Sequence, residues 1–243
     1  MSTDRETAFG DYMLRVEQQL RAPLGHQVQG SGTLLEVMKM FARCVSMFVS
    51  IRLLVAEELA EDGLIIWRSL FETSIRLEHL AAQPLLVREA LLIRKMLDGL
   101  HDYVNLAEKS MRYGVPDFLS DEQEIVARSR EQLHARQVRL GIPRLLKFPS
   151  DKEMAENLDR RREFLDFELG HKFTHGSSTA HETRTNISEG EVRIGIRNAD
   201  YGVRSGVGSS AARTALRAHL ATSTILGWSQ DGLQPLIEES ETF

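Results

Sequence analysis

Apolar residues recur every three or four positions along most of this chain, which is the spacing of a helix with one buried face. Phe9, Met13, Val16 and Leu20 mark a first helix over Asp4–Arg21, stopped at Ala22-Pro23-Leu24-Gly25. A second helix is predicted over Thr33–Glu61. Its polar residues Glu36, Lys39, Arg43, Ser46 and Ser50 form one narrow stripe, and almost everything else is apolar. A helix apolar around most of its girth is surrounded by other helices. Asp62-Gly63 reads as a turn, and a third helix spans Leu64–Ala82 before Pro84. Leu91, Leu92, Met96, Leu100, Val104 and Leu106 belong to a fourth over Leu85–Tyr113, with Gly114 and Pro116 as its stop.

Two capping-box patterns follow, Ser120-Asp-Glu-Gln123 and Ser150-Asp-Lys-Glu153. The first opens a charged fifth helix that ends at Gly141-Ile142-Pro143. The second opens a sixth that runs unbroken to about Phe173. The period then changes to two in Glu191–Arg197. With the turn-like Asn198–Gly202, this predicts a hairpin or extended loop whose second strand is Val203–Val207. A last helix is expected from Ser209-Ser210 to about Trp228. The acidic end, Glu238–Glu241, reads as a frayed tail. The predicted architecture is all-α: one domain over 1–243, a bundle of about seven helices, an Arg-rich insert at 184–207 and a loosely ordered tail at 229–243.

Composition narrows this picture little. Of 243 residues, 42% are hydrophobic and 27% charged, which fits a chain that buries a sizeable core. The formal net charge of -5 argues against a general polyanion binder, so any RNA contact must be a local basic patch. Arginine greatly outnumbers lysine, as phosphate recognition would favour and as base composition alone would also produce. The single cysteine, Cys44, sits in an apolar run and excludes a disulfide within one chain. It points to a reducing, cytoplasmic setting. The polar start Met1-Ser-Thr-Asp-Arg-Glu6 lacks the apolar core of a signal peptide. The run Val45–Leu54 contains Arg52 and is too short to cross a bilayer, so no membrane partner is expected.

Two stretches carry candidate chemistry. Arg68, Glu72 and Arg76 are spaced i, i+4, i+8 and share one helix face, away from Trp67, Leu70, Phe71 and Ser74. A carboxylate between two guanidiniums orients both, which suits gripping an anion or fixing a histidine. The same spacing also describes a solvated ion-pair ladder. The second stretch, Phe164–His181, holds His171, His175 and His181 and breaks at His175-Gly176. Two imidazoles one turn apart can share a metal with a third, and Glu168 or Glu182 would add a carboxylate. Lys172 beside them and the missing His-Glu-x-x-His pattern argue against a metal or cofactor. His175 then remains either a general acid or base beside an arginine clamp, or a histidine that caps a helix end. Lys172 and Arg76 would add positive charge there. Gly206-Val-Gly208-Ser-Ser210, with Arg204 nearby, reads as a helix start whose free N–H groups, Gly208 among them, can hold an anion.

Trp67-Arg-Ser-Leu-Phe-Glu72, with Phe164, Phe167 and Lys172-Phe-Thr-His175-Gly-Ser177, resembles a bacterial helical family, domain of unknown function 5677. The resemblance covers roughly the second to sixth helices and carries Arg68, Glu72 and His175 over as its site positions. It departs in Lys172-Phe-Thr before the histidine and in the long Arg-rich segment after His181. More distantly the chain is similar to HEPN helical proteins, many of them RNases of toxin and defence systems. Their signature of an arginine followed a few residues later by histidine fits Arg21/His26, Arg94/His101, Arg128/His134 and Arg213/His219. This likeness implies a metal-independent RNase or nucleotide-acting effector, with Arg68, Glu72 and His175 as its catalytic set, and a homodimer. The rival implied by the same residues is a non-catalytic interaction module, in which Arg68, Glu72 and His175 form a polar latch and the Arg-rich insert meets a protein partner.

Overall fold

The computed structural model describes residues 2–25, 32–113, 122–174, 185–188, 191–194 and 201–243; within these, the side chains at 2, 3, 111, 166, 169–174 and in the two strands are not described. Among the described residues the regular structure is helical except for one small hairpin. In order it forms α1 (Ser2–Arg21), a 3-10 turn (Ala22–Gly25), α2 (Gly32–Ala56), α3 (Ala60–Ala82), α4 (Leu85–Arg112), α5 (Gln123–Arg139), α6 (Asp151–Asn157) and α7 (Arg161–Thr174). Then come β1 (Thr185–Ser188), β2 (Glu191–Ile194), α8 (Tyr201–Leu226), α9 (Leu233–Glu239) and a last 3-10 turn (Ser240–Thr242). No described helix is long and apolar enough to cross a membrane.

The chain resolves into two compact units, one of Met1–Gln29, Val37–Ala81 and Pro149–Phe243, the other of Gly30–Glu36 and Ala82–Phe148. The first unit holds the large aromatic core. Tyr12, Phe41, Phe48, Trp67, Phe71 and Ile51 are fully or almost fully buried there. Its α8 is lined with small buried residues, Ala211, Ala212, Ala215, Ala218 and Ala221 among them. Small side chains let other helices approach its backbone closely. Polar bonds fix the register of α3 on α8: Trp67 Nε1 donates to Thr214 Oγ1 at 3.2 Å, and Ser74 Oγ donates to the Thr214 carbonyl at 3.0 Å.

The second unit is the α4/α5 pair. Ala90, Ile93, Leu133 and Ile142 form its core, with Met96, Leu97 and Leu100 packed against them. Glu89 is buried at this seam. It accepts two hydrogen bonds from Arg136, at 2.8 and 2.7 Å, and one from Thr33 Oγ1 at 3.0 Å. A fork-to-fork pair of this kind fixes geometry as well as charge.

Several boundaries differ from the sequence expectation, each for a local reason. The break between α2 and α3 falls at Glu57–Leu59, where Glu58 takes a left-handed conformation (φ 62°), and not at Asp62-Gly63. Gly63 lies inside the first turns of α3. A Cβ there would meet Ile51 at 3.4 Å and Val207 at 3.6 Å, ordinary van der Waals contact, so the residue continues the helix and makes no turn. The expected sixth helix is two. The Ser150–Glu153 capping box forms, with the Glu153 amide donating to Ser150 Oγ and the Ser150 amide to Glu153 Oε2. The helix then stops after Asn157. Asp159 turns left-handed (φ 55°), which aspartate tolerates better than most residues, and α7 starts afresh. Ser120, of the other capping pattern, lies outside the described residues.

The hairpin is real but its strands are β1 and β2, with Thr185 opposite Ile194 and Ser188 opposite Glu191. Val203–Val207, expected to be its second strand, belongs to α8 instead. The frayed tail is also corrected. Residues 233–239 form α9, Tyr12 Oη donates to the Leu236 carbonyl at 3.1 Å, and Arg15 pairs with Glu239. The Phe243 ring lies 5.4 Å from Phe9 and 5.2 Å from Tyr12.

Candidate functional site

The Arg68 segment lies on α3, in the first unit. Its apolar residues face inward as expected: Trp67, Leu70 and Phe71 are buried. Arg68 and Glu72 lie on another face and are each about a quarter exposed, 26% and 28%. Arg68 Nε is 3.7 Å from Glu72 Oε1, an ion pair longer than a hydrogen bond. The guanidinium also lies over the Phe167 ring of α7, 5.0 Å from its centroid. Phe167 is held in turn by Phe71 (5.5 Å between centroids, 38°) and by Phe164 (5.3 Å, 24°). The arginine is therefore oriented by an aromatic face below and a carboxylate beside it. Stacking of this kind fixes the plane of the guanidinium.

Arg76 does not complete a three-membered ladder. Its Nη2 donates to Asp151 Oδ1 of α6 at 3.2 Å, so it ties α3 to α6. Lys172 and His171 are on the last turns of α7, but their side chains lie outside the described residues, as do all of His175 and His181. Position 171 is one helical turn beyond Phe167, which puts the histidine-bearing end of α7 next to the Arg68 stack in backbone terms.

The other expected anion cradle is corrected. Gly206 and Gly208 lie inside α8, not ahead of it, so their N–H groups belong to the helix ladder. Gly208 has a packing reason: a Cβ there would come within 2.5 Å of Phe9 Cζ. Arg204 bonds to Glu6 Oε1 at 3.0 Å. It stands at the edge of a cavity of about 380 Å³ between α1, α2 and α8, floored by Phe9, Met13 and Val55.

Among the described residues no group of three or more His, Cys, Asp or Glu side chains could hold a metal ion. The histidines of the HEPN-type spacings differ in environment. His101 and His134 are exposed, whereas His219 is 3% exposed and stacked on Phe41, 5.0 Å between centroids. Burial pushes the His219 pKa down to about 4, so it is neutral near pH 7. Burial likewise pushes the Cys44 thiol far up, which makes it a small hydrophobe and no nucleophile.

Sequence reasoning missed the most deeply buried charge. Arg160, just before α7, is 0% exposed. Its Nη1 donates to Glu78 Oε1 at 2.6 Å and its Nε is 3.0 Å from Glu163 Oε1. In the sequence it is one of three consecutive arginines, 160 to 162, which reads as a solvated run. Only the restart of the helix after Asp159 turns the first of them inward.

A family model matches residues 36–192, and its description is Family of unknown function (DUF5677). No curated protein and no solved structure matches the chain.

Proposed function

From the premise that this chain belongs to the DUF5677 family, we propose that it acts on RNA or a nucleotide without a metal, with Arg68 as the group that holds the phosphate. One observation carries this reading: Arg68 is stacked on Phe167 and flanked by Glu72, yet a quarter of it remains open to solvent. Arg160, by contrast, is wholly enclosed. Lys172 and His175 follow Phe167 within eight positions of the sequence, so a cation and a proton-transfer group lie close along the chain. A fixed cation in a site partly shielded from water stabilises charge that develops on a phosphate.

In the RNase form of this reading, the 2′-hydroxyl attacks the adjacent phosphorus while His175 takes its proton. The bond from phosphorus to the 5′-oxygen breaks, and that oxygen regains a proton. The products are a 2′,3′-cyclic phosphate and a 5′-hydroxyl, with no oxidant, reductant or cofactor needed. The likeness to HEPN proteins and the homodimer belong to this same reading. The test is cleavage of a fluorescent single-stranded RNA in excess chelator. Arg68→Ala and His175→Ala are each expected to lower the rate by about 100-fold or more. Inert wild type, or variants that cut as fast as wild type, would end the proposal.

A second reading is a non-catalytic interaction module, with the Arg-rich segment as its partner surface. The observation favouring it is the enclosed Arg160–Glu78–Glu163 cluster, which already ties α3 to α7 with charged groups and no exposed chemistry. Under that reading His175→Ala lowers the melting temperature and there is no activity to lose.

A further inference from the structure

The start of α7 gathers more positive charge than its neighbours neutralise. Arg160 Nη1 is satisfied by Glu78, and Glu78 Oε1 lies 2.9 Å from Ser74 Oγ. The guanidinium lies 5.4 Å over the Phe71 ring. Its Nη2 is buried and makes no hydrogen bond with any described residue. A guanidinium presents five N–H donors, and a buried charged donor requires an acceptor.

A second arginine, Arg217 of α8, stands close enough to feel the Arg160 charge. Arg217 is half-buried, and the charges acting on it are those of Arg160, Glu78, Glu163 and Arg213. Burial first, and then the Arg160 guanidinium, push its pKa below the usual arginine value. Arg213, one turn earlier on α8, donates from Nε to Ser240 Oγ at 3.1 Å. The cluster thus sets three guanidiniums against two carboxylates. The first-turn N–H groups of the 14-residue α7 add partial positive charge at the same end.

We propose that this cluster is an anion subsite in which Arg160 Nη2 and Arg217 take the phosphate group of a small molecule, entering from the half-exposed Arg217 side. The donors arrive from two elements, the start of α7 and the flank of α8. That arrangement suits tetrahedral oxygens better than the two coplanar oxygens of a carboxylate. The subsite is distinct from the Arg68 face. Phe167 lies seven positions beyond Arg160, roughly 10 Å at helical rise, so the two do not share a ligand atom. The proposal stands whether or not the protein cleaves RNA.

The experiment is calorimetric titration and thermal unfolding of the full chain with inorganic phosphate, against chloride at equal ionic strength, with acetate in a parallel arm. Wild type is expected to bind phosphate saturably and to gain melting temperature with it. Arg217→Gln is expected to weaken that binding at least tenfold while melting normally without phosphate, because Arg217 is half-exposed. Arg68→Ala is expected to keep the part of the response that Arg217→Gln removes. Three results would overturn the assignment: no saturable phosphate effect in wild type, an undiminished effect in Arg217→Gln, or an effect that Arg68→Ala abolishes. Equal saturation by acetate would overturn the phosphate class.

Discussion

Replacing Glu78 by glutamine should reveal how much the first unit depends on one buried charge pair. Glutamine keeps the volume and one acceptor oxygen, so packing and the Ser74 bond survive, but the Arg160 guanidinium loses its principal counter-charge. The side chains of the pair are 0% and 15% exposed, so solvent screening discounts little. Removing one partner of a buried pair costs about 3–5 kcal/mol, because the other charge remains buried without compensation. Glu163 still stands 3.0 Å from Arg160 Nε, which places the expected loss near the lower bound, about 3 kcal/mol. Urea unfolding followed by far-UV circular dichroism measures it. The midpoint should fall while the slope m stays unchanged, since the surface exposed on unfolding is the same. The internal control is Glu124→Gln. Glu124 bonds to Arg128 on the surface of α5, with side chains 74% and 69% exposed, and its loss should be barely measurable. If Glu78→Gln costs no more than Glu124→Gln, Arg160 is not held by charge and the reasoning fails. Replacing Arg160 and Glu78 together by Met and Leu should cost less than Glu78→Gln alone, because no orphan charge is then left.

Two glycines of α8, Gly206 and Gly208, should respond with opposite signs to the same substitution. Gly206→Ala meets no atom within 4 Å and should gain up to about 1 kcal/mol from helix propensity. Gly208→Ala drives a methyl into Phe9, and overpacking of about 1–3 kcal/mol should outweigh that gain; thermal melts that shift the same way would refute the packing account. His219 gives a pH signature. Its folded pKa is about 4 and its unfolded value about 6.5, so the unfolded chain binds the extra proton between them. Stability from this residue is therefore complete above about pH 6.5 and falls as pH falls toward 4, with roughly 2 kcal/mol lost by pH 5. Urea midpoints at pH 7.5 and pH 5 should diverge less in His219→Gln, and an unchanged divergence would reject the assignment. Deleting Phe243 removes its ring from Phe9 and Tyr12 and should lower the melting temperature by several degrees, whereas a frayed end would show no change.

The helical class and most helix positions were written in the apolar spacing, because a 3.6-residue period needs no knowledge of neighbours. Phe9, Met13, Val16 and Leu20 are all buried as the period requires, and so are Val37, Phe41, Val45 and Phe48. The Ser150–Glu153 cap was equally local and equally legible. Membership of the DUF5677 family was readable from the Trp67–Glu72 and Phe164–Gly176 segments. The misread places were those where a local preference yields to packing. Gly206 and Gly208 look like a helix start by propensity. The neighbouring Phe9 makes a glycine at 208 more useful inside the helix than before it. Ala-rich α8 gave a weak periodic signal because small residues are buried on much of its surface.

What the sequence by itself determined, then, is a helical protein with Arg68 and Glu72 on one face of α3 and a histidine-bearing segment at the end of α7. Both follow from spacing along one chain. What only the tertiary structure decided is which charges meet. Nothing in the spacing of Arg160, Glu78 and Arg217 links them, since the nearest two are separated by 57 positions in the sequence. They converge because Asp159 turns the chain left-handed and the restarted α7 carries Arg160 inward onto α3. The same fold lays Phe167 under Arg68 and sends Arg76 away to Asp151. A helix period fixes which face a side chain is on, whereas its partner is fixed by the packing of helices distant in sequence.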